Sequence, residues 1–556
     1  MWSFTTRLTI LMTEKLHSKY PDGAPSLVEK EVYPLRWDSC ASNERPDISG
    51  LPSLDYALYL FDTVKFHLGQ NYRFFDEELF IKNIHEFYHG DPVKMAREHR
   101  LWFVQYLLVL SFGTAFLSRT KSDDPPGSNF FVRAMSLMPH HASLWKDSLL
   151  AIEVLALAGL YLYSIDQRES AYICLGQAIR IAQYEGLHTQ LSEEQLGADV
   201  VARCRNLWWT LYIMDRHFSY SVGLPMSTQD SDISTPIEPS TISHRDVALS
   251  LQAKLSHLLS SILTTVYKTE KTQLNVFLDT TKSILQTLAG HAQEVEKIIH
   301  ATFRNSVDSM PRGTRHITLL YHQCVIVATR PLLLSALMER LSTLNSTNEE
   351  IGNSLDLTKT LITAGIKSAS KTLQIISNSD SLLEVFLLYN LEFTYAAAIH
   401  LAMANALFPD AVDGPASAQE AHSILDQMIS NGNKVAQVRK EELVHVEGLF
   451  MEVAARAEMN GLQPLTLSTT VNEERSTEHG RDSTEEQNVR GTEYVEEFVP
   501  IDLPGAGYAH TQYHPSMMMP SAELLDDIGI SSAEFLAIVD QIGNPDTSYS
   551  ILDSGP

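Results

Sequence analysis

Between residues 46 and 460, apolar side chains return every three or four positions, segment after segment, and each segment ends in its own stop signal. In "ESAYICLGQAIRIAQYEGLH", Ala171, Cys174, Leu175, Ala178, Ile181 and Ala182 share one face of a 3.6-residue period. Gly186 stands where a left-handed residue would close that helix. Comparable stripes run over 149–163, 247–267, 317–341, 358–376 and 382–407, and are separated by "SDDPPGSN", "STLNSTNEE" and "FPDAVDGP". Alternating runs of β-branched residues, which strands require, are scarce, so the expected fold class is all-α. No short-period repeat occurs, which argues against a solenoid.

A chain of 556 residues is too long for one small core, and its charge of −26 restricts what it can hold. Affinity for phosphates comes from clustered Lys and Arg, yet no run of four basic residues occurs, so direct attachment to nucleic acid or anionic lipid is not expected. The cysteines at 40, 174, 204 and 324 are too dispersed for a disulfide framework or a cysteine metal cluster. "LTILM" is too short for a signal segment, which predicts an intracellular protein. "LWFVQYLLVLSFGTAFL" (101–117), interrupted by Gln105, Ser111, Gly113 and Thr114, reads as a buried core helix and not a membrane span.

After Pro464 the chain changes character. "TTVNEERSTEHGRDSTEEQN" (469–488) holds a single strongly apolar residue, Val471, and cannot bury enough surface to order itself. Beyond Arg490 there are eleven carboxylates and no Lys or Arg. Within "AELLDDIGISSAEFLAIVDQIG" (522–543), Ser531 and Glu534 form a capping-box pattern, and Leu524, Leu525, Phe535, Leu536, Val539 and Ile542 are the apolar anchors of a short helix that needs a partner surface. The expected organisation is a linker-like segment at 1–50, a helical body at 51–460, a disordered linker at 461–505 and an acidic-hydrophobic tail at 506–556.

Two stretches invite a chemical reading. "HEFYH" places His85, Glu86 and His89 in the H-E-x-x-H pattern of a zinc hydrolase, but Gly90, Asp91 and Pro92 break the helix that would hold both imidazoles. No G-x-S-x-G, phosphate loop or dinucleotide fingerprint accompanies it, so catalysis is not expected and no metal or other cofactor is assigned. "CRNLWWTLYIMDRHFSYSVGLP" (204–225) puts Val201, Cys204, Trp208 and Leu211 on one helical face, with Leu207 and Tyr212 beside it and Arg203 and Arg205 turned outward. That predicts tryptophans in the core, a turn at Gly223 and Pro225, and an extended acidic loop in "QDSDISTPIEP".

Taken together, "AYICLGQAIRIAQYEGLH", "RCRNLWWTLYIMDRHFSYSVGLPMSTQDSDISTPIEP", "LPSLDYALYLFDTVKFHLGQNYRFFDEELF" and "HITLLYHQCVIVATRPLLLSALMERL" resemble the fungal-specific transcription factor domain, the middle homology region of fungal zinc binuclear cluster regulators. The resemblance covers about residues 50–450 and implies a large all-helical regulatory domain. Its structural hallmark falls on Trp208, Trp209, Asp215, Arg216, Gly223, Pro225, Arg330 and Pro331. The six-cysteine, two-zinc DNA-reading module of such regulators has no counterpart in residues 1–50, so zinc is expected only if that module lies outside this chain. The resemblance implies a nuclear transcription regulator of activating type and, by family habit, control of a metabolic gene cluster. Its expected partners are coactivator machinery, a second copy or a DNA-bound partner, with DNA contacted only indirectly and no membrane. A non-DNA-binding co-regulator or scaffold is the alternative, followed by a hydrolase built on His85, Glu86 and His89.

Overall fold

The computed structural model describes residues 4–16, 32–38, 45–119, 122–237, 244–265, 274–303, 312–344, 356–378 and 384–467. Among them there is no β-strand. The first half comprises α1 (Phe4–Leu16), α2 (Leu54–Leu68), α3 (Glu77–His89), α4 (Pro92–Glu98), α5 (Arg100–Leu117), α6 (Ser128–Ser136), α7 (His141–Leu144), α8 (Ser148–Ser164), α9 (Arg168–Tyr184), α10 (Glu193–Leu196) and α11 (Ala198–Val222). The second half comprises α12 (His244–Thr265), α13 (Leu274–Phe303), α14 (Arg312–Thr343), α15 (Asp356–Ser377), α16 (Tyr389–Leu407), α17 (Gly414–Ser430) and α18 (Lys434–Met459).

Start signals are chemical and local. Ser53, Asp76, Asp91, Asp413 and Asn433 each accept a hydrogen bond from a first-turn N–H, which satisfies one of the donors a helix leaves open. Pro92 and Pro415 sit in the first turns of α4 and α17, where a missing N–H costs nothing.

The core is built on helices apolar all round. In α8 every residue from Ala151 to Ser164 is buried, with α9 on one side and α5 on another. Gly113 lets α5 approach α2: a Cβ there would stand 2.8 Å from the Leu60 Cβ and 2.9 Å from the Leu60 carbonyl. From α9 the packing passes to α11, α12 and α14, then through α15 and α16 to α17 and α18. Residues from Leu8 to Val453 contribute to one hydrophobic cluster. Arg100–Leu117 and Gly313–Thr343 are long and apolar enough to cross a membrane, but other helices cover most of both, as the sequence predicts for 101–117.

Three expectations need correction. The linker-like reading of 1–50 misses α1, whose Leu8, Met12 and Leu16 recur every four residues and are buried against α14 and α18. Arg456 Nη1 caps that helix by donating to the Leu16 carbonyl at 2.5 Å, and Tyr33 and Trp37 also pack on the core. The linker expected from 461 begins docked: the Leu465 N–H donates to the Leu407 carbonyl at 3.1 Å, and Leu465 and Leu467 touch the core. The stripe at 382–407 is helical only from Tyr389, because the Glu384 carboxylate accepts the N–H groups of Phe386 and Leu387 at 2.8 and 2.9 Å and holds a turn there. The disordered-linker and tail expectations beyond 467, with all six tail anchors, lie outside the described residues.

Candidate functional site

The family-hallmark residues of α11 close a latch on the loop that follows it. Trp208, 1% exposed, is core, tilted against the His188 ring at 5.7 Å. Its neighbour Trp209 does something the periodicity does not reveal: its indole N–H donates to the Pro236 carbonyl at 3.0 Å and ties the far end of the loop to the helix. Two turns on, Asp215 and Arg216 are each 1% exposed. Arg216 Nη1 donates to Asp215 Oδ2 at 2.9 Å, and Nη2 donates to the Thr228 carbonyl at 2.8 Å and to Asp230 Oδ1 at 2.7 Å. The guanidinium also lies 3.7 Å over the Tyr212 ring, whose hydroxyl donates to the same Asp230 oxygen at 2.7 Å.

Asp215 completes the latch by accepting the Ser227 N–H at 3.0 Å. Burial pushes its carboxyl up, and the Arg216 charge and Ser227 donors pull against that. Gly223, at φ 68°, supplies the left-handed residue that ends α11, and the Pro225 carbonyl accepts the Tyr172 hydroxyl at 2.8 Å. The segment read as an extended loop is therefore partly a helical turn, Asp230–Asp232, folded onto α11, because Arg216 and Tyr212 both seek its carboxylate. Every charged group in this cluster is spent on another, and no nucleophile stands beside a base.

A second buried cluster joins the two halves. On α16, Glu392 receives the Tyr163 hydroxyl of α8, lies 2.8 Å from His217 Nε2 of α11 and 3.2 Å from Arg168 Nη2 of α9. Arg168 Nε reaches Asp166 at 2.6 Å, and Arg439 of α18 reaches the other oxygen of Asp166 at 3.0 Å. Burial alone would raise the Glu392 carboxyl, but His217 and Arg168 more than offset it and hold it below its ordinary value. Five helices thus meet on one chain of charges.

Arg330 and Pro331 lie inside α14, away from the latch. Arg330 is buried, 4.5 Å over the Phe4 ring of α1 and 3.4 Å from the Tyr220 hydroxyl of α11. Arg203 corrects the outward reading given above: Nη2 donates to the buried Glu153 at 2.6 Å, and Gln105 Nε2 donates to the other oxygen at 2.8 Å. The available signal was a Gln and a Glu in the middle of two otherwise apolar helices, residues that enter a core only as partners.

The fit to zinc is poor. His85, Glu86 and His89 are exposed on the last turns of α3, His89 Nδ1 lies 2.8 Å from the His85 carbonyl, and no third ligand joins them among the described residues. Of the cysteines, burial pushes the thiols of Cys174 and Cys324 up to about 11 and about 12, and Cys204 also up, against the thiolate a zinc cluster needs.

Residues 56–300 match the model of the fungal specific transcription factor domain. A transcriptional regulatory protein of Schizosaccharomyces pombe is 23% identical over 439 residues, 74% of this chain and 53% of the relative. Sorbicillinoid biosynthetic cluster transcription factor 2 of Penicillium rubens is 27% identical over 191 residues, 33% of this chain and 27% of its own. Activator of stress genes 1 of Saccharomyces cerevisiae is 22% identical over 309 residues, 51% of this chain and 32% of its own. The chain thus spans about half, or less, of the length of these relatives. No solved structure matches it. Residues 56–300, which carry the tryptophan pair, the Asp215–Arg216 latch and the turn at Gly223, are thus the part of the chain that matches the fungal specific transcription factor domain.

Proposed function

We propose that the protein is a nuclear transcription regulator of activating type, in which the helical body is the regulatory part and the acidic-hydrophobic tail at 506–556 contacts coactivator machinery. The observation that carries this reading is the family domain at 56–300 on the same chain as a C-terminal stretch with eleven carboxylates and no basic residue beyond Arg490. It acts by binding and not by catalysis, since the charges of its buried clusters are consumed by structure. With a net charge of −26 it reaches promoters through a DNA-bound partner or through a cysteine–zinc module outside these residues. A relative named for a biosynthetic cluster supports a metabolic gene cluster as the target class.

The test joins the full chain to an unrelated DNA-binding domain and reads a reporter gene. Activation is expected, with most of it lost on deleting 490–556 or on combining Phe535→Ala with Leu536→Ala. Burying a Leu or Phe is worth about 1.5–3 kcal/mol, whereas an exposed charge pair is worth about 0–1, so the apolar anchors should outweigh any single acid. A silent fusion, or one indifferent to these changes, would refute the activator reading.

A further inference from the structure

Between α16, α17, α18 and the returning segment at 461–464 lies a groove of about 750 Å³, a size within the roughly 300–1,000 Å³ of small-molecule sites. Many of its lining residues are small. Ala398, Ala402 and Ala406 line it from α16 at four-residue spacing, and Phe450, Ala454 and Ala457 from α18. Such spacing keeps each set on one helical face, and the α16 row extends for about 12 Å at 1.5 Å per residue. The outcome is a largely apolar slot.

At one side of this slot sits Arg340, from the last turn of α14, only 7% exposed. Nη2 donates to the carbonyls of Leu462 and Gln463 at 3.1 and 2.8 Å. Nε and Nη1 make no hydrogen bond, and no carboxylate pairs with the guanidinium among the described residues. Burial lowers its pKa and no neighbouring acid opposes the effect. The two acids of the groove lie elsewhere: Glu447 is 2.9 Å from His422 Nε2, and Glu458 is exposed. A cation sunk in an apolar wall without a counter-charge is a standing cost, and an anion that arrives with its own apolar body would offset it.

We propose that this groove binds a slender apolar molecule ending in a carboxylate, with the carboxylate on Arg340 and the body along the alanine faces of α16 and α18. The same arginine pins Leu462 and Gln463 in the segment that returns after α18, so occupancy of the site and the position of that segment share one side chain.

The probe is decanoate, titrated calorimetrically into the purified full chain, with decanol as the equally long molecule that lacks the anion. Saturable binding of one decanoate per chain is expected, at least tenfold tighter than decanol. Arg340→Gln should weaken decanoate at least tenfold and leave decanol unchanged. Because that variant could also loosen 461–467, a second one, Ala454→Phe, fills the slot from an exposed position and should abolish both. No binding of decanoate at millimolar concentration, equal affinity for decanol, or affinity unaffected by either variant overturns the proposal. Binding is read on the isolated chain, so its failure is distinct from failure of the transcriptional reading.

Discussion

At Arg216 one side chain meets two carboxylates, a carbonyl and an aromatic face, and that is why Asp215–Arg216 carries more than its two positions suggest. Arg216→Met would keep most of the bulk and strand Asp215 in the core, for an expected loss of about 3–5 kcal/mol. Trp208→Ala should cost a similar amount, about 3–5 kcal/mol, through the cavity it leaves. Denaturant unfolding measures both. Unchanged stability of the Arg216 variant would mean that the latch is not closed in solution, and a stable but inactive Trp208 variant would move that residue to a partner surface. The tryptophan pair was readable as core from spacing alone. The separate task of Trp209, holding Pro236, was not, because its acceptor is a backbone carbonyl 27 residues away.

Elements that look independent in sequence depend on one another through Glu392. It belongs to α16, and its partners belong to α8, α9 and α11. A carboxyl held below its ordinary value of 4.5 in the folded chain stabilises that chain at higher pH, and the contribution is lost as pH falls through the folded value. Glu392→Gln should therefore be less stable than wild type at pH 7 by about 1.5–3 kcal/mol, the scale of a hydrogen bond to a charged group. The two proteins should converge in acid. Melting temperatures from pH 7 to 3 test this, and a constant difference would contradict the linkage. Helix α1 gives the same lesson: its apolar stripe is visible in the sequence, but only packing against α14 and α18 makes it part of the body.

For the whole molecule, charge decides. Residues 1–556 carry −26, so the purified chain should bind duplex DNA at low salt only weakly and without sequence preference. Titration against labelled duplex checks this, and tight binding with a steep salt dependence would reveal a basic surface that composition hides. The body is also larger than the family match at 56–300: the same hydrophobic cluster includes Leu8 and Val453, and the docked segment reaches Leu467. A chain cut at the family boundary would lose α14 and expose the surfaces of α12 and α13 that it covers, and it should not be expected to fold.

Local sequence was enough for the class of fold, the course of several helices, the tryptophans as core and the change of composition after Pro464. Each of these rests on residues within a few positions of one another, through a helical period, a cap or a local composition. Where the charges went depended on packing between helices far apart in the chain. The family resemblance marks Asp215 and Arg216 as structural, but only the loop folded back on them shows what they hold. Arg203 reads as outward until Glu153 is found beneath it, and nothing local singles out Arg340 before its groove is seen. In a low-dielectric interior the worth of a charge depends on which partner lies within about 4 Å, and that partner is chosen by the packing of helices far apart in the chain.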